Sequence, residues 1–213
     1  MSLTQLKPHK QVFYQMCKNL EGRFRTLILC EGKRDTEVLK GIITRLEIPP
    51  TGNIGVTDCG GSPAIRDIAR YTETLARLSR KLETMVVMID ADEHTFKEKV
   101  QSFVESLMAH NISIEGTDEI AESLYNVRTE RLNILVQMAG MQELPFPKHT
   151  IDDHITQLLL LEGRISQDQL QTATSTKEII DEQTENARTI IENSQRELVE
   201  QAFGSIIGML KML

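Results

Sequence analysis

Apolar residues fall along this chain in two patterns: short continuous runs, and longer stretches where they recur every three or four positions. The runs Leu27–Cys30, Met85–Ile89 and Leu132–Val136, with a further one near 54–58, are too short for buried helices and rich in branched residues, so they predict buried strands. The periodic stretches predict helices. One covers about 9–21, with Val12, Phe13, Met16, Cys17 and Leu20 on one face. A second covers 35–46, with Val38, Leu39, Ile42, Ile43 and Leu46, before Pro49, Pro50 and Gly52 break the chain. A third starts at Ser62, which suits an N-cap followed by Pro63 at the first helical position, and runs to about Leu82. A fourth lies near 95–110, and a polar segment leads from it to the last strand. The order βαβαβαβ predicts an α/β fold with a mainly parallel sheet and helices on both faces.

After Pro145 and Pro147 the pattern becomes helical throughout. Thr150 suits the cap of a helix in which Ile151, Ile155, Leu158 and Leu159 face inward. A long polar helix over 176–202 has only a thin stripe of Ile180, Ala187, Ile191 and Leu198. Phe203 to Leu213 is apolar on most sides, so it is expected to pack on the domain or to join two copies as a homodimer through the C-terminal helices. The organisation is therefore an N-terminal helix over 1–22, an α/β domain over 23–140 and a C-terminal helical extension over 141–213.

Composition narrows the class. Apolar residues make up 40% of the chain, but with six Phe, three Tyr and no Trp the core must be mainly aliphatic. No run approaches the roughly 18 apolar residues of a membrane span, and the N-terminus, with Lys7, His9 and Lys10 before a mixed helix, lacks the apolar centre expected of a signal peptide. Cys17, Cys30 and Cys59 are an odd, widely spaced set that fits neither a disulfide framework nor a zinc site. Buried thiols in a cytoplasmic protein are the expectation. The net charge of −7 divides unevenly: residues 1–84 carry 14 Lys+Arg against 9 Asp+Glu, and the remainder carries 10 against 22. A weakly basic half permits local contact with nucleic acid, whereas the overall acidity opposes a general nucleic-acid coat.

The candidate chemistry sits where strands end. Glu31 follows the first strand; Asp90 and Asp92 follow the third. Open α/β sheets bind ligands at the C-terminal edge of their strands, and alternation along an extended chain would point Asp90 and Asp92 the same way. Three such carboxylates suit a hard cation such as magnesium, with manganese as the alternative. Asp35 meets the positive end of its helix dipole. Gly60, Gly61 and Ser62 before a helix start would let a phosphate approach free N–H groups, or serve only a tight turn. Gly32, Lys33 and Arg34 could hold a phosphate or be a solvated loop. Arg66, Arg70, Arg77 and Lys81 share one helix arc, interrupted by Glu73, and read better as a solvated face than as a backbone-tracking stripe. His94 reads as a surface residue. Asp152 and Asp153 would be distant additions to the site, with Asp153 also placed for a capping box with Thr150.

The segment Leu29-Cys30-Glu31-Gly32-Lys33-Arg34-Asp35 with Val38-Leu39, followed by Ile89-Asp90-Ala91-Asp92, resembles the Toprim domain. That domain is shared by topoisomerases, bacterial primases, overcoming-lysogenisation-defect nucleases and ribosomal-RNA maturation nucleases. The resemblance covers about residues 23–140. It implies a Toprim-like fold with Glu31 as general acid/base or metal ligand and with Asp90 and Asp92 holding magnesium. It also allows Asp35 to support a second metal. No catalytic-tyrosine domain, primase zinc cysteines or Gly-x-x-x-x-Gly-Lys-[Ser/Thr] loop is present. The glycine that follows the aspartates in the maturation nucleases is replaced by Glu93-His94-Thr95-Phe96. The chain thus resembles small stand-alone Toprim proteins. The resemblance implies a magnesium-dependent phosphodiester hydrolase acting on DNA or RNA, with Glu31 moving the proton and no organic cofactor. Two other functions fit the same residues: a non-catalytic module binding nucleic acid or a partner, and a nucleotide-processing enzyme suggested by the Gly60-Gly61 turn.

Overall fold

Alternation along the central strands divides the core between the two faces of one sheet. The computed structural model describes residues 4–6, 24–48, 54–76 and 82–213. The strands are β1 (Thr4–Leu6), β2 (Thr26–Cys30), β3 (Ile54–Asp58), β4 (Thr84–Asp90), β5 (Ile114–Ala121), β6 (Leu124–Thr129) and β7 (Asn133–Ala139). They lie in the order β1-β3-β2-β4-β7-β6-β5. β1, β3, β2, β4 and β7 are mutually parallel, and β6 and β5 continue antiparallel. The result is an α/β fold with a mostly parallel sheet, as the apolar runs require.

Helix α1 (Lys33–Leu46) covers one face, and α2 (Ser62–Ala76) and α3 (Phe96–Met108) cover the other. Ile28, Cys30, Val86 and Met88 meet α1 through Val38, Leu39 and Ile42. Leu27, Leu29, Met85 and Val87 share a cluster with Ile65, Ala69, Phe103 and Leu107 of α2 and α3. Consecutive residues of one strand thus serve opposite layers, the period of two expected of a strand buried on both sides. α3 starts where Thr95 accepts a hydrogen bond from Glu98 N at 3.3 Å while Glu98 Oε2 accepts from Thr95 N at 2.8 Å, a reciprocal capping box.

The extension consists of α4 (Ile151–Leu161), α5 (Gln167–Thr172), α6 (Thr176–Asp181), α7 (Ala187–Asn193), α8 (Arg196–Ala202) and α9 (Gly204–Lys211). It packs on the α1 face and shares that layer's core through Leu158, Leu159, Ile190, Ile191, Phe203 and Ile206. Contact between α1 and α7 is close: a Cβ placed on Gly41 would lie 3.0 Å from Ile191 Cβ. The apolar tail is buried within the chain at Phe203, Ile206, Ile207, Met209 and Leu210. Burial of each such side chain is worth about 1.5–3 kcal/mol, which explains why the final turns sit on the sheet layer.

Three expectations differ from the structure. The polar segment before the last strand contains the β5–β6 hairpin; β5 is mostly exposed, so it carries no apolar signature, and β6 alone contributes buried Leu124, Tyr125 and Val127. The helix expected over 176–202 is three helices. Ser175 caps α6 by accepting from Glu178 N at 3.2 Å, and Asn186 caps α7 by accepting from Thr189 N at 3.0 Å. These caps re-aim short helices at the core, which is why one thin apolar stripe spans several of them. A short N-terminal strand pairs with β3 where no strand was expected. The helix expected over 9–21, with Cys17, and the stripe residues Arg77 and Lys81 lie outside the described residues. Among the described residues, no helix is long and apolar enough to cross a membrane.

Candidate functional site

Four carboxylates from distant parts of the chain line one cleft of about 550 Å³ at the C-terminal edge of the sheet: Glu31, Asp35, Asp90 and Asp152. Glu31 follows β2, Asp90 ends β4, Asp35 lies in the first turn of α1, and Asp152 lies in the first turn of α4. β2 and β4 are adjacent parallel strands, so their ends meet. Glu31 Oε2 accepts a hydrogen bond from Asp90 N at 3.2 Å. Asp90 Oδ1 accepts from Ile151 N at 3.0 Å, which fixes the start of α4 against the strand end.

Asp35 fulfils the capping expectation and also faces the cleft. Its Oδ2 accepts from Gly32 N at 2.8 Å, while its Oδ1 is buried without a hydrogen-bond partner. Asp152 repeats this division: Oδ2 accepts from Arg34 Nη1 at 2.8 Å, and Oδ1 is buried without a partner. Buried carboxylate oxygens that meet no donor are costly. Burial first, with the charges of Glu31 and Asp152 added, pushes the Asp35 carboxyl up to about 7 against the pull of the Gly32 amide and its own. Asp90 is raised by burial and by the Asp35 and Glu31 charges, against the pull of the Ile151 amide. Asp152 is raised by burial and held back by Arg34. Crowded, desolvated carboxylates of this kind are what a cation would relieve. Among the described residues, no three His, Cys, Asp or Glu side chains already stand in ligating geometry.

Asp92 departs from the extended-chain expectation. β4 ends at Asp90, and Asp92 has a left-handed φ of 54°, so strict alternation does not reach it. Its backbone forms a two-bond bridge with His149, each amide donating to the other carbonyl at 2.9 Å. Its carboxylate pairs with the ammonium of Lys99, in the first turns of α3. Asp90 and Asp92 therefore have different partners, and only Asp90 lines the cleft. His94 is exposed.

Two of the N–H groups at the glycine turn that a phosphate was expected to approach are engaged within the protein. Gly60 N and Gly61 N donate to the Glu31 carbonyl at 3.1 and 2.8 Å, and Gly32 N serves Asp35. The glycine pair is needed for its backbone: φ is 81° at Gly60 and 116° at Gly61, where a side chain would be strained. Ser62 opens α2 as its first helical residue, one position later than the cap expected there. Of the basic pair, Lys33 meets Glu37 at 3.2 Å, and Arg34 bridges Asp152 and Asp181 at 2.8 and 3.2 Å. Lys148 and Lys177, not singled out in the sequence, line the cleft as exposed cations. Arg66 donates to Ser102 Oγ at 3.2 Å and Arg70 meets Asp67 at 3.4 Å, as a helix face held by protein contacts.

Behind the cleft, Asp153 is buried and accepts three hydrogen bonds, from Met141 N at 2.9 Å, His149 Nδ1 at 3.0 Å and Thr176 Oγ1 at 2.8 Å. It organises the loop between β7 and α4 and leaves the cleft to its neighbour Asp152. Thr150 Oγ1 accepts from Asp152 N, so the cap does not use Asp153 as its reciprocal acid. Lys99 had a readable signal: it shares a helix arc with Phe103 and Leu107 at spacings of four, so a lysine sits on an apolar stripe. Cys30 and Cys59 are buried free thiols, and burial first, then nearby Asp58, pushes Cys59 up to about 12.

Residues 25–141 match the family described as a protein of unknown function, DUF3226, and the chain belongs to that family. The match spans β2 to β7 and the three crossover helices and stops before α4, so β1 and Asp152 both lie beyond it. Comparison with curated proteins finds no match, and neither does comparison with solved structures.

Proposed function

We propose that this DUF3226 protein is a magnesium-dependent phosphodiester hydrolase of Toprim type acting on DNA or RNA. The observation that supports this reading is the convergence of Glu31, Asp35, Asp90 and Asp152 on one cleft, two of them with a buried carboxylate oxygen that meets no donor. Such oxygens suit a hard cation, which manganese could replace. In this reading Glu31, Asp35 and Asp90 hold the ion, and Asp152 borders it from the extension. Bound magnesium would supply charge neutralisation at the attacked phosphorus. Glu31, one of the three carboxylates on the ion, is also the group to move a proton to or from the attacking or leaving oxygen, because it stands at the strand end with the other two. Lys148 and Lys177 at the rim would meet the phosphates that flank the scissile one.

The test is cleavage of single- and double-stranded DNA and RNA with magnesium or manganese, with Asp90→Asn as control. Loss of metal-dependent cleavage in the variant is the expected result. Cleavage that persists in Asp90→Asn, or an absence of cleavage by the natural protein on every substrate, overturns the proposal. The cleft volume of about 550 Å³ also favours a second reading, a nucleotide-processing enzyme, since this is the size of a small-ligand site. Competition by free nucleotides but not by oligonucleotides would select it.

A further inference from the structure

The carboxylates at the sheet edge form two groups that differ in how their charge is met. Glu31, Asp35 and Asp90 face the cleft, and the charges of Glu31 and Asp35 bear on Asp90. Asp92 lies two residues past the strand and has an ammonium of its own. Lys99 is only 6% exposed, and its Nζ is paired with Asp92 Oδ2. A buried ammonium needs a partner charge, because desolvation without one costs far more than the pair recovers in water.

The pair is built into the fold at both ends. The Asp92 backbone is clamped by its bridge to His149. Lys99 is carried on α3, where its N–H donates to Thr95 O at 3.0 Å, and the capping box at Thr95 and Glu98 fixes the helix start. α3 is held in turn by buried Val100, Phe103 and Leu107. Neither partner can turn away without breaking a backbone clamp or leaving a charge buried alone.

We propose that Lys99 is a positioning residue whose ammonium occupies the place beside Asp92 that a second cation would need, so that the site takes one divalent ion per chain, at Glu31, Asp35 and Asp90. The inference rests on the metal-dependent reading above and specifies its stoichiometry. Electrostatics favour this arrangement: the ammonium already neutralises Asp92, and its positive charge repels any ion approaching from that side. The sequence motif Asp90-x-Asp92 thus divides its labour, with Asp90 given to the ion and Asp92 to the protein.

The experiment measures manganese bound per chain by equilibrium dialysis and electron paramagnetic resonance, with magnesium as competitor, on the full chain. The natural protein is expected to bind one ion. Lys99→Met, which keeps the apolar stem and removes the charge, is expected to bind two. Lys99→Met combined with Asp92→Asn is expected to return to one. Circular dichroism establishes that each variant is folded. Two ions bound by the natural protein would overturn the proposal while leaving the metal reading intact. One ion bound by folded Lys99→Met would also overturn it. No ion bound by the natural protein would overturn both the proposal and the reading beneath it.

Discussion

Arg34 Nη1 lies 2.8 Å from Asp152 Oδ2, and through this contact the first turn of α1 is joined to the first turn of α4. The same guanidinium reaches Asp181 of α6 at 3.2 Å. One side chain thus connects the sheet edge to two helices of the extension, and its fork geometry is what allows it.

Arg34→Met should therefore loosen the extension and leave Asp152 without a counter-charge. The pair is partly solvated, with the Arg34 side chain 33% exposed, so the cost is expected near 1–3 kcal/mol, about that of a lost charge-assisted hydrogen bond. Urea unfolding of Arg34→Met, Asp152→Asn and the double variant measures this. A double variant whose loss equals the sum of the single losses would show that the two side chains are not coupled.

Asp90→Asn is expected to stabilise the metal-free protein by about 0.5–2 kcal/mol. Burial and the charges of Asp35 and Glu31 all oppose the Asp90 carboxylate, and an amide oxygen can still accept from Ile151 N. A melting temperature measured in chelator should rise, although the same substitution removes the proposed ion. A fall in melting temperature would mean that the carboxylate is stabilising as it stands.

His154 should make the protein sensitive to mild acid. It is buried against Phe203, with ring centroids 5.6 Å apart. Its Nδ1 donates to Ala202 O at 2.8 Å and its Nε2 accepts from Gly140 N at 3.3 Å, so the neutral ring is the one that fits. Burial lowers its pKa below 6.5. The unfolded chain then binds a proton that the folded chain resists, so this contribution is complete above about pH 6.5 and is lost as pH falls toward the lowered value. The raised Asp35 and Asp90 carboxyls act in the opposite direction, so the test is the difference between proteins: in thermal melts between about pH 7.5 and 5, acid should be less unfavourable to His154→Gln than to the natural protein.

Phe203→Ala should cost about 3–5 kcal/mol, the usual loss for a large buried ring. Phe203 is fully buried and joins α8 and α9 to the layer formed with α1. Deletion of residues 203–213 removes Ile206, Ile207, Met209 and Leu210 as well and exposes that layer, so loss of solubility is expected. A soluble truncation with an unchanged unfolding midpoint would show that the tail contributes nothing to the core.

The strands were legible because a strand buried on both faces must be a short apolar run, and Leu27–Cys30 and Met85–Ile89 are such runs. Glu31 and Asp90 were legible for the same reason, since a charged residue next to a buried run marks the strand's end. The first turn of α1 was legible too, because Asp35 caps through a local backbone contact. Local sequence could not specify what depends on distant chain segments meeting. β5 is exposed and carries no apolar period; the helices of the extension turn at caps that a single stripe does not reveal. Asp152 joins the cleft because Asp90 receives the Ile151 amide and Arg34 reaches across from α1. Asp92 turns to Lys99 because a left-handed residue and a bridge to His149 interrupt the alternation. The sequence by itself determined that Glu31, Asp35 and Asp90 stand at the sheet edge, since strand length and helix capping are local. Which of them share a cleft, and which is neutralised by a buried lysine, only the tertiary structure decided, because those pairings depend on the packing of α1, α3 and α4 around the strand ends.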